Sequence, residues 1–165
     1  MVNPIIDEAL VAGLIRRQFP SWAGLPVRRV ARDGWDHRSF RLGDRMVVRL
    51  PSAAAYAPQV AKEQAWLPQL GAVLSMPIPV PLAMGHPEPG YPWCWSVYRW
   101  IPGEAAEIGE VAHDRPFAAD VATFLRELQQ VDAAGGPPPG PHNFHRGEMP
   151  SSCHEYPLTH RLPTR

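Results

Sequence analysis

Residues 32–51 run RDGWDHRSFRLGDRMVVRLP. The stretch reads as strand, glycine turn, strand, turn and strand. Gly34 opens a polar tip, Trp35-Asp36-His37-Arg38-Ser39, and a short β-type run from Met46 to Leu50 follows. Successive side chains of a strand point to opposite faces, so Val47 and Arg49 share one face while Met46, Val48 and Leu50 share the other. Arg49 is thus a guanidinium among apolar neighbours, and on a half-buried face it requires an anion.

The next segment offers one. Tyr56, Val60, Glu63, Leu67 and Leu70 recur at steps of three and four, which predicts a helix over 57–70 with Glu63 on its apolar stripe. Beside Lys62 and Gln64, an ordinary solvated carboxylate is the alternative reading of Glu63. The position after Arg49 makes it the candidate partner.

Upstream, Asn3-Pro4 is a helix start, with Asp7 and Glu8 at the positive end of the helix dipole. Ile6, Leu10 and Leu14 mark one face until Pro20 ends it. Val27 to Ala31 is a short strand leading to Gly34, where glycine is expected to give the backbone room and freedom. Downstream, Pro77, Pro79 and Pro81 rule out helix between Met76 and Gly85 and confine pairing to an edge or an extended segment. After a turn at Pro87-Glu88-Pro89-Gly90, the aromatic, β-favouring run Trp93 to Trp100 predicts a strand. For Trp93, Trp95 and Trp100 the expected role is packing. Residues 104–115 are polar and weakly patterned. Phe117, Val121, Phe124, Leu125 and Leu128 then predict an amphipathic helix over 117–132 whose apolar face needs a partner. Gly135 to Pro141 forms a Pro/Gly linker, and residues 149–165 have the composition of a disordered tail.

The composition narrows the function classes. The 165 residues carry 16 Lys plus Arg and 16 Asp plus Glu, so no net field draws the chain to nucleic acid or anionic lipid. The two cysteines, Cys94 and Cys153, form neither a metal-type pair nor a disulfide framework, and read as free thiols of a reducing cytoplasm. No signal-peptide pattern and no apolar run near the ~20 residues of a membrane span is present, so a soluble, cytoplasmic protein is expected.

Taken together, GWDHRSFRLG, MVVRLP, KEQAWLPQL and SVYRWIPGE, in this order between Val27 and Gly103, resemble the nucleotide-binding lobe of the aminoglycoside phosphotransferase family, the small-molecule branch of the protein-kinase-like fold. The resemblance implies an α+β architecture: an antiparallel sheet with one helix beside it, followed by the first helix of a second lobe. It divides the chain into a nucleotide-binding lobe over 1–103, the start of a second lobe over 104–134 and a linker and tail over 135–165. The implied cofactor is ATP or GTP with magnesium, and the implied partner in an intact enzyme is a small molecule bearing a hydroxyl.

Residue by residue, the tip Gly34, Asp36, His37, Arg38 and Ser39 would close over the phosphates with its backbone N–H groups, although a plain hairpin turn fits the same residues. Arg49 stands where the kinase pattern has lysine and would hold phosphates, its planar fork keeping the electrostatic role. Glu63 would orient Arg49, Val47 would roof the base, and the backbone at Arg99, Trp100 and Ile101 would meet the base edge as the hinge does.

The family's catalytic Asp, Asn and second metal-binding Asp have no counterpart, since Asp132 is the last aspartate. His145-Arg146-Gly147-Glu148 lacks the following Asn and is rejected as a catalytic loop. The expectation is therefore the front half of a longer kinase-like enzyme, with an unrelated terminus beginning near Gly147 and no activity alone. A noncatalytic nucleotide- or partner-binding module that self-associates through the 117–131 face is the alternative, as is a nonfunctional gene remnant. Zinc binding by His142, His145, Cys153, His154 and His160 matches no common closed site.

Overall fold

The alternation read in residues 46–50 becomes a central strand. In the computed structural model, which describes residues 4–31, 34–103, 114–138 and 140, strand β3 (Met46–Pro51) lies in the middle of a five-stranded antiparallel sheet. Its neighbours are β2 (His37–Leu42) on one side and β5 (Trp95–Arg99) on the other. Strand β1 (Val27–Arg29) forms the outer edge beyond β2, and β4 (Pro81–Gly85) the edge beyond β5. The prolines put β4 where sequence logic expects it, because an edge strand tolerates missing N–H donors.

The two faces of the sheet separate as the period of two requires. Phe40, Leu42, Val48, Leu50, Trp95 and Val97 are buried on one face under helix α1 (Glu8–Gln18), which contributes Val11, Leu14 and Ile15 to the same cluster. Full burial of such a side chain is worth about 1.5–3 kcal/mol, so this face carries most of the stability. Helix α1 starts later than Asn3-Pro4 suggested: Pro4 to Asp7 is not helical, and the Asp7 carboxylate caps the helix by accepting from the Leu10 N–H at 2.8 Å. Its far end is tied down by polar contacts. Arg17 pairs with Glu88, and Gln18 exchanges hydrogen bonds with the His86 backbone at 3.0 and 2.8 Å.

Gly85 is where the core closes. Opposite Trp95 in the β4–β5 ladder, it has the indole lying on its Cα; a Cβ there would stand 2.0 Å from Trp95 Cε2. The edge of that indole packs on Phe19, ring centroids 5.6 Å apart at 84°. Tyr91, also fully buried, donates from its hydroxyl to the Pro51 carbonyl at 2.9 Å.

Helix α2 (Pro58–Val73) associates with β4 and β5 differently. Only Val60 is buried, and Pro68 sits inside the helix. Polar ties supply the rest: Gln64 Nε2 donates to Ser96 Oγ at 2.8 Å and to the Ala83 carbonyl at 3.2 Å.

Helix α3 (Arg115–Gln129) begins at an Asp114 cap and has no buried residue; Phe117, Leu125 and Leu128 remain exposed. Glu127 accepts from the N–H and hydroxyl of Ser75, both at 2.9 Å. The apolar pattern of this helix was legible, with its ends shifted two or three residues toward the N-terminus.

Residues 1–133 form one compact unit and 134–165 a second. In the second, Gly135 takes a left-handed φ of 80°. The expected tail, the rejected His145 loop and the histidine and cysteine cluster lie outside the described residues. No helix among the described residues is long and apolar enough to cross a membrane.

Candidate functional site

The face of the sheet opposite α1 carries the polar residues. Register places Ser39 and Ser96 on either side of Arg49, and Arg41 and Tyr98 on either side of Val47. All six belong to this face by alternation, and α2 brings Glu63 over it. The Arg49 guanidinium lies 3.5 Å from Glu63 Oε2, both side chains partly exposed. The expected pair is therefore formed, by a cation that cannot be buried alone and an acid on the inner stripe of the next helix.

The same Glu63 oxygen accepts a hydrogen bond from Tyr98 Oη at 2.5 Å. Burial, followed by the Glu63 charge, pushes the Tyr98 phenol well above its ordinary pKa and keeps it a donor. The Arg49 guanidinium also faces the Tyr98 ring, 5.6 Å from its centroid. Ser96, Tyr98 and Gln64 were not singled out in the sequence; the alternation within 95–99 that places Ser96 and Tyr98 on one face was the available signal.

The glycine tip departs from expectation. His37 and Ser39 are not loop residues: both lie in β2, paired with Pro51 and Arg49, and His37 is buried. The polar run resembled a loop locally, but pairing to β3 claims its backbone. The remaining loop is anchored from behind, with the single Ser52 hydroxyl shared between the Trp35 and Asp36 carbonyls, its Oγ 3.1 and 3.0 Å from them. Arg38, also in β2, reaches back to the Gly34 carbonyl at 3.1 Å. Gly34 itself has no positive φ, and a Cβ there would meet nothing nearer than 4.0 Å. The expected need for glycine is absent at this position; it falls instead on Gly43, at φ 57° in the β2–β3 turn. Burial, with the Arg49 charge second, lowers the His37 pKa, so the imidazole beside the pair is neutral at neutral pH.

At the far end of β5 the hinge expectation narrows. The Arg99 N–H already donates to Val80 and the Trp100 N–H to Arg45, both at 2.9 Å. Neither is free for a ligand, because the strand pairing continues past residue 99. The Ile101 peptide makes no hydrogen bond to a described residue. The Trp100 ring is covered by the Arg41 guanidinium, 4.0 Å from its centroid, which fits the packing role expected of it. A cavity of about 590 Å³ borders Arg99–Pro102 and the C-terminal end of α2. The structure thus gathers Val47, Arg49 and Glu63 around Tyr98, with Arg99 ending the same strand and Trp100 and Ile101 following it. No three His, Cys, Asp or Glu side chains converge among the described residues, so none is assigned to a metal.

Comparison with known proteins gives a consistent result. Residues 27–161 match the phosphotransferase enzyme family, a span reaching well past the Gly103 expected from motifs alone and into the stretch read as an unrelated terminus. A GDP complex of a mutant aminoglycoside 2'-phosphotransferase-IIIa superposes with a TM-score of 0.71 at 21% identity, over 81% of this chain and 46% of that one. The GDP and kanamycin complex of the same type gives 0.67 at 22%, over 76% and 43%. ADP-bound APH(2'')-Ib gives 0.52 at 19%, over 78% and 42%. At these identities the likeness is one of fold, and the chain spans under half the length of each structure. No curated protein sequence matches the chain.

Proposed function

Because the chain belongs to the phosphotransferase enzyme family, we propose that it is the nucleotide-binding part of a kinase-like enzyme that transfers the γ-phosphoryl of ATP or GTP to a hydroxyl of a small molecule. The observation that carries this reading is the Arg49–Glu63 pair at 3.5 Å on the polar face of the sheet. A fixed, tethered cation is what a polyphosphate needs.

Arg49 holds phosphates, Glu63 sets its direction, and the loop at Gly34 to Asp36 covers them. Val47 roofs the base, and the Arg99 carbonyl and Ile101 peptide meet its edge. Magnesium would bridge the phosphates when bound; the described residues offer no ligand set for it, and no step is assigned to it. No residue of this chain is assigned as the base that takes the hydroxyl proton, so the 165-residue chain is inactive on its own. The lobe division at Gly103 belongs to the same proposal.

The test is thermal unfolding of the chain with magnesium and ATP or GTP, beside the Arg49→Ala variant. A ligand that binds only the folded state raises its stability. A shift in the parent that disappears in the variant is expected; a cooperative transition with no shift in the parent refutes nucleotide binding. The pair is partly exposed, so the variant's own loss of stability should stay within about 1 kcal/mol.

A second reading, a partner-binding module, draws on α3, where Phe117 is 41% and Leu125 48% exposed. Concentration-dependent association that Leu125→Glu abolishes, without any nucleotide-induced shift, would favour it.

A further inference from the structure

We infer that Tyr98 is a positioning residue for polyphosphate binding: its hydroxyl engages the Glu63 carboxylate and so leaves the Arg49 guanidinium available to phosphate. The inference rests on the nucleotide reading above and adds a residue to it.

The argument starts from competition at one atom. Glu63 Oε2 is shared, with Tyr98 Oη at 2.5 Å and an Arg49 nitrogen at 3.5 Å. The phenol holds the close position and the guanidinium the loose one. Arginine and carboxylate, left to themselves, settle into a two-bond fork that occupies the donors a phosphate would use. A short hydrogen bond from a buried phenol withdraws part of that carboxylate, so Glu63 steers Arg49 without capturing it.

The phenol is well fixed for this task. Tyr98 is 1% exposed and lies on β5 opposite Val47, two register positions from the Arg49–Ser96 pair and on the same face. The carboxylate is fixed from the other direction, because the next residue of α2, Gln64, is bonded to Ser96 Oγ at 2.8 Å. Arg49 is flanked in the ladder by the small side chains of Ser39 and Ser96. Removing the hydroxyl would leave Arg49 as the charged partner of Glu63.

The test is calorimetric titration of the full chain with ATP and GTP in magnesium buffer, and with adenosine and guanosine, which lack phosphate. Tyr98→Phe keeps the ring and removes the hydroxyl. It should weaken the better-bound triphosphate by about five- to tenfold, the scale of one typical hydrogen bond, while nucleoside affinity changes little. In the Glu63→Gln background, adding Tyr98→Phe should have no further effect on the triphosphate, because the hydroxyl acts through that carboxylate. This cycle stays informative if Tyr98→Phe costs some stability.

Unchanged triphosphate affinity in Tyr98→Phe overturns the inference while leaving the nucleotide reading standing. So does an equal loss for nucleoside and triphosphate, which marks a structural role. A parent chain that binds no triphosphate overturns both.

Discussion

Gly85→Ala should damage this fold more than its size suggests. The added Cβ would lie 2.0 Å from Trp95 Cε2 and 2.4 Å from both Cζ2 and Nε1, roughly 1.4 Å inside the limit of ordinary contact. Relief requires the indole to move, and Trp95 is fully buried with its edge against Phe19, which in turn stacks on Trp22 at 5.1 Å. Overpacking in a filled core costs about 1–3 kcal/mol, and with three ring atoms obstructed we expect the upper end, ~3 kcal/mol. For a chain of this length that lowers the melting temperature by roughly 6–12 °C. Thermal unfolding followed by circular dichroism and by tryptophan fluorescence measures it. In the Trp95→Phe background, which lacks Nε1 and Cζ2, the same alanine should cost under about 1 kcal/mol more, the coupling expected of touching residues. A parent-background loss below about 1 kcal/mol would mean that the indole has room to yield, and would refute the reasoning.

Three further outcomes follow from the core and its margins. Tyr91→Phe removes the hydroxyl that satisfies the buried Pro51 carbonyl at 2.9 Å and should cost about 1–2 kcal/mol in denaturant titration. Asp7→Ala deletes the cap on Leu10 N–H and should cost about 1 kcal/mol by the same assay. The third concerns pH. The His37 pKa is lowered from 6.5 chiefly by burial, so below that value the unfolded chain takes up a proton that the native one resists. Stability is therefore complete above pH 6.5 and falls as pH drops toward the lowered native value. His37→Gln should flatten the dependence of the unfolding free energy between about pH 7 and 5 relative to the parent.

What could be read from the sequence divides by range. Met46 to Leu50 announced its two faces because a strand repeats every two residues, and Glu63 announced itself by sharing a stripe with Val60 and Leu67. Both signals are contained within one element. His37 was misread because a run of polar residues looks the same in a loop and in a strand whose partner, Pro51, lies beyond a turn. The Tyr98–Glu63 contact depends on how far α2 slides along β5, which no local pattern states. Gly85 read only as the end of a proline-rich segment, since its need for hydrogen in place of a side chain arises from an indole ten residues later. Short-range periodicity thus marked the separate strands and helices, the family resemblance of their ordered motifs supplied the fold class, and the site's finer geometry lay in packing between elements.

The anchoring of α1 has a consequence for how the molecule is made. The helix precedes the sheet in the chain, yet its end is held by Glu88, 71 residues after Arg17, and by the His86 backbone, 68 residues after Gln18. Closing such long spans costs chain entropy before any contact is gained, and folds rich in them form slowly. A nascent chain released at Gly85 would carry α1 with neither Glu88 nor Trp95 to receive it, and should be cut readily by protease; one extended through Gly103 should resist. Synthesis of β5 is then the event that commits the sheet to its shape, and a helix made before the sheet is among the last elements to find its place.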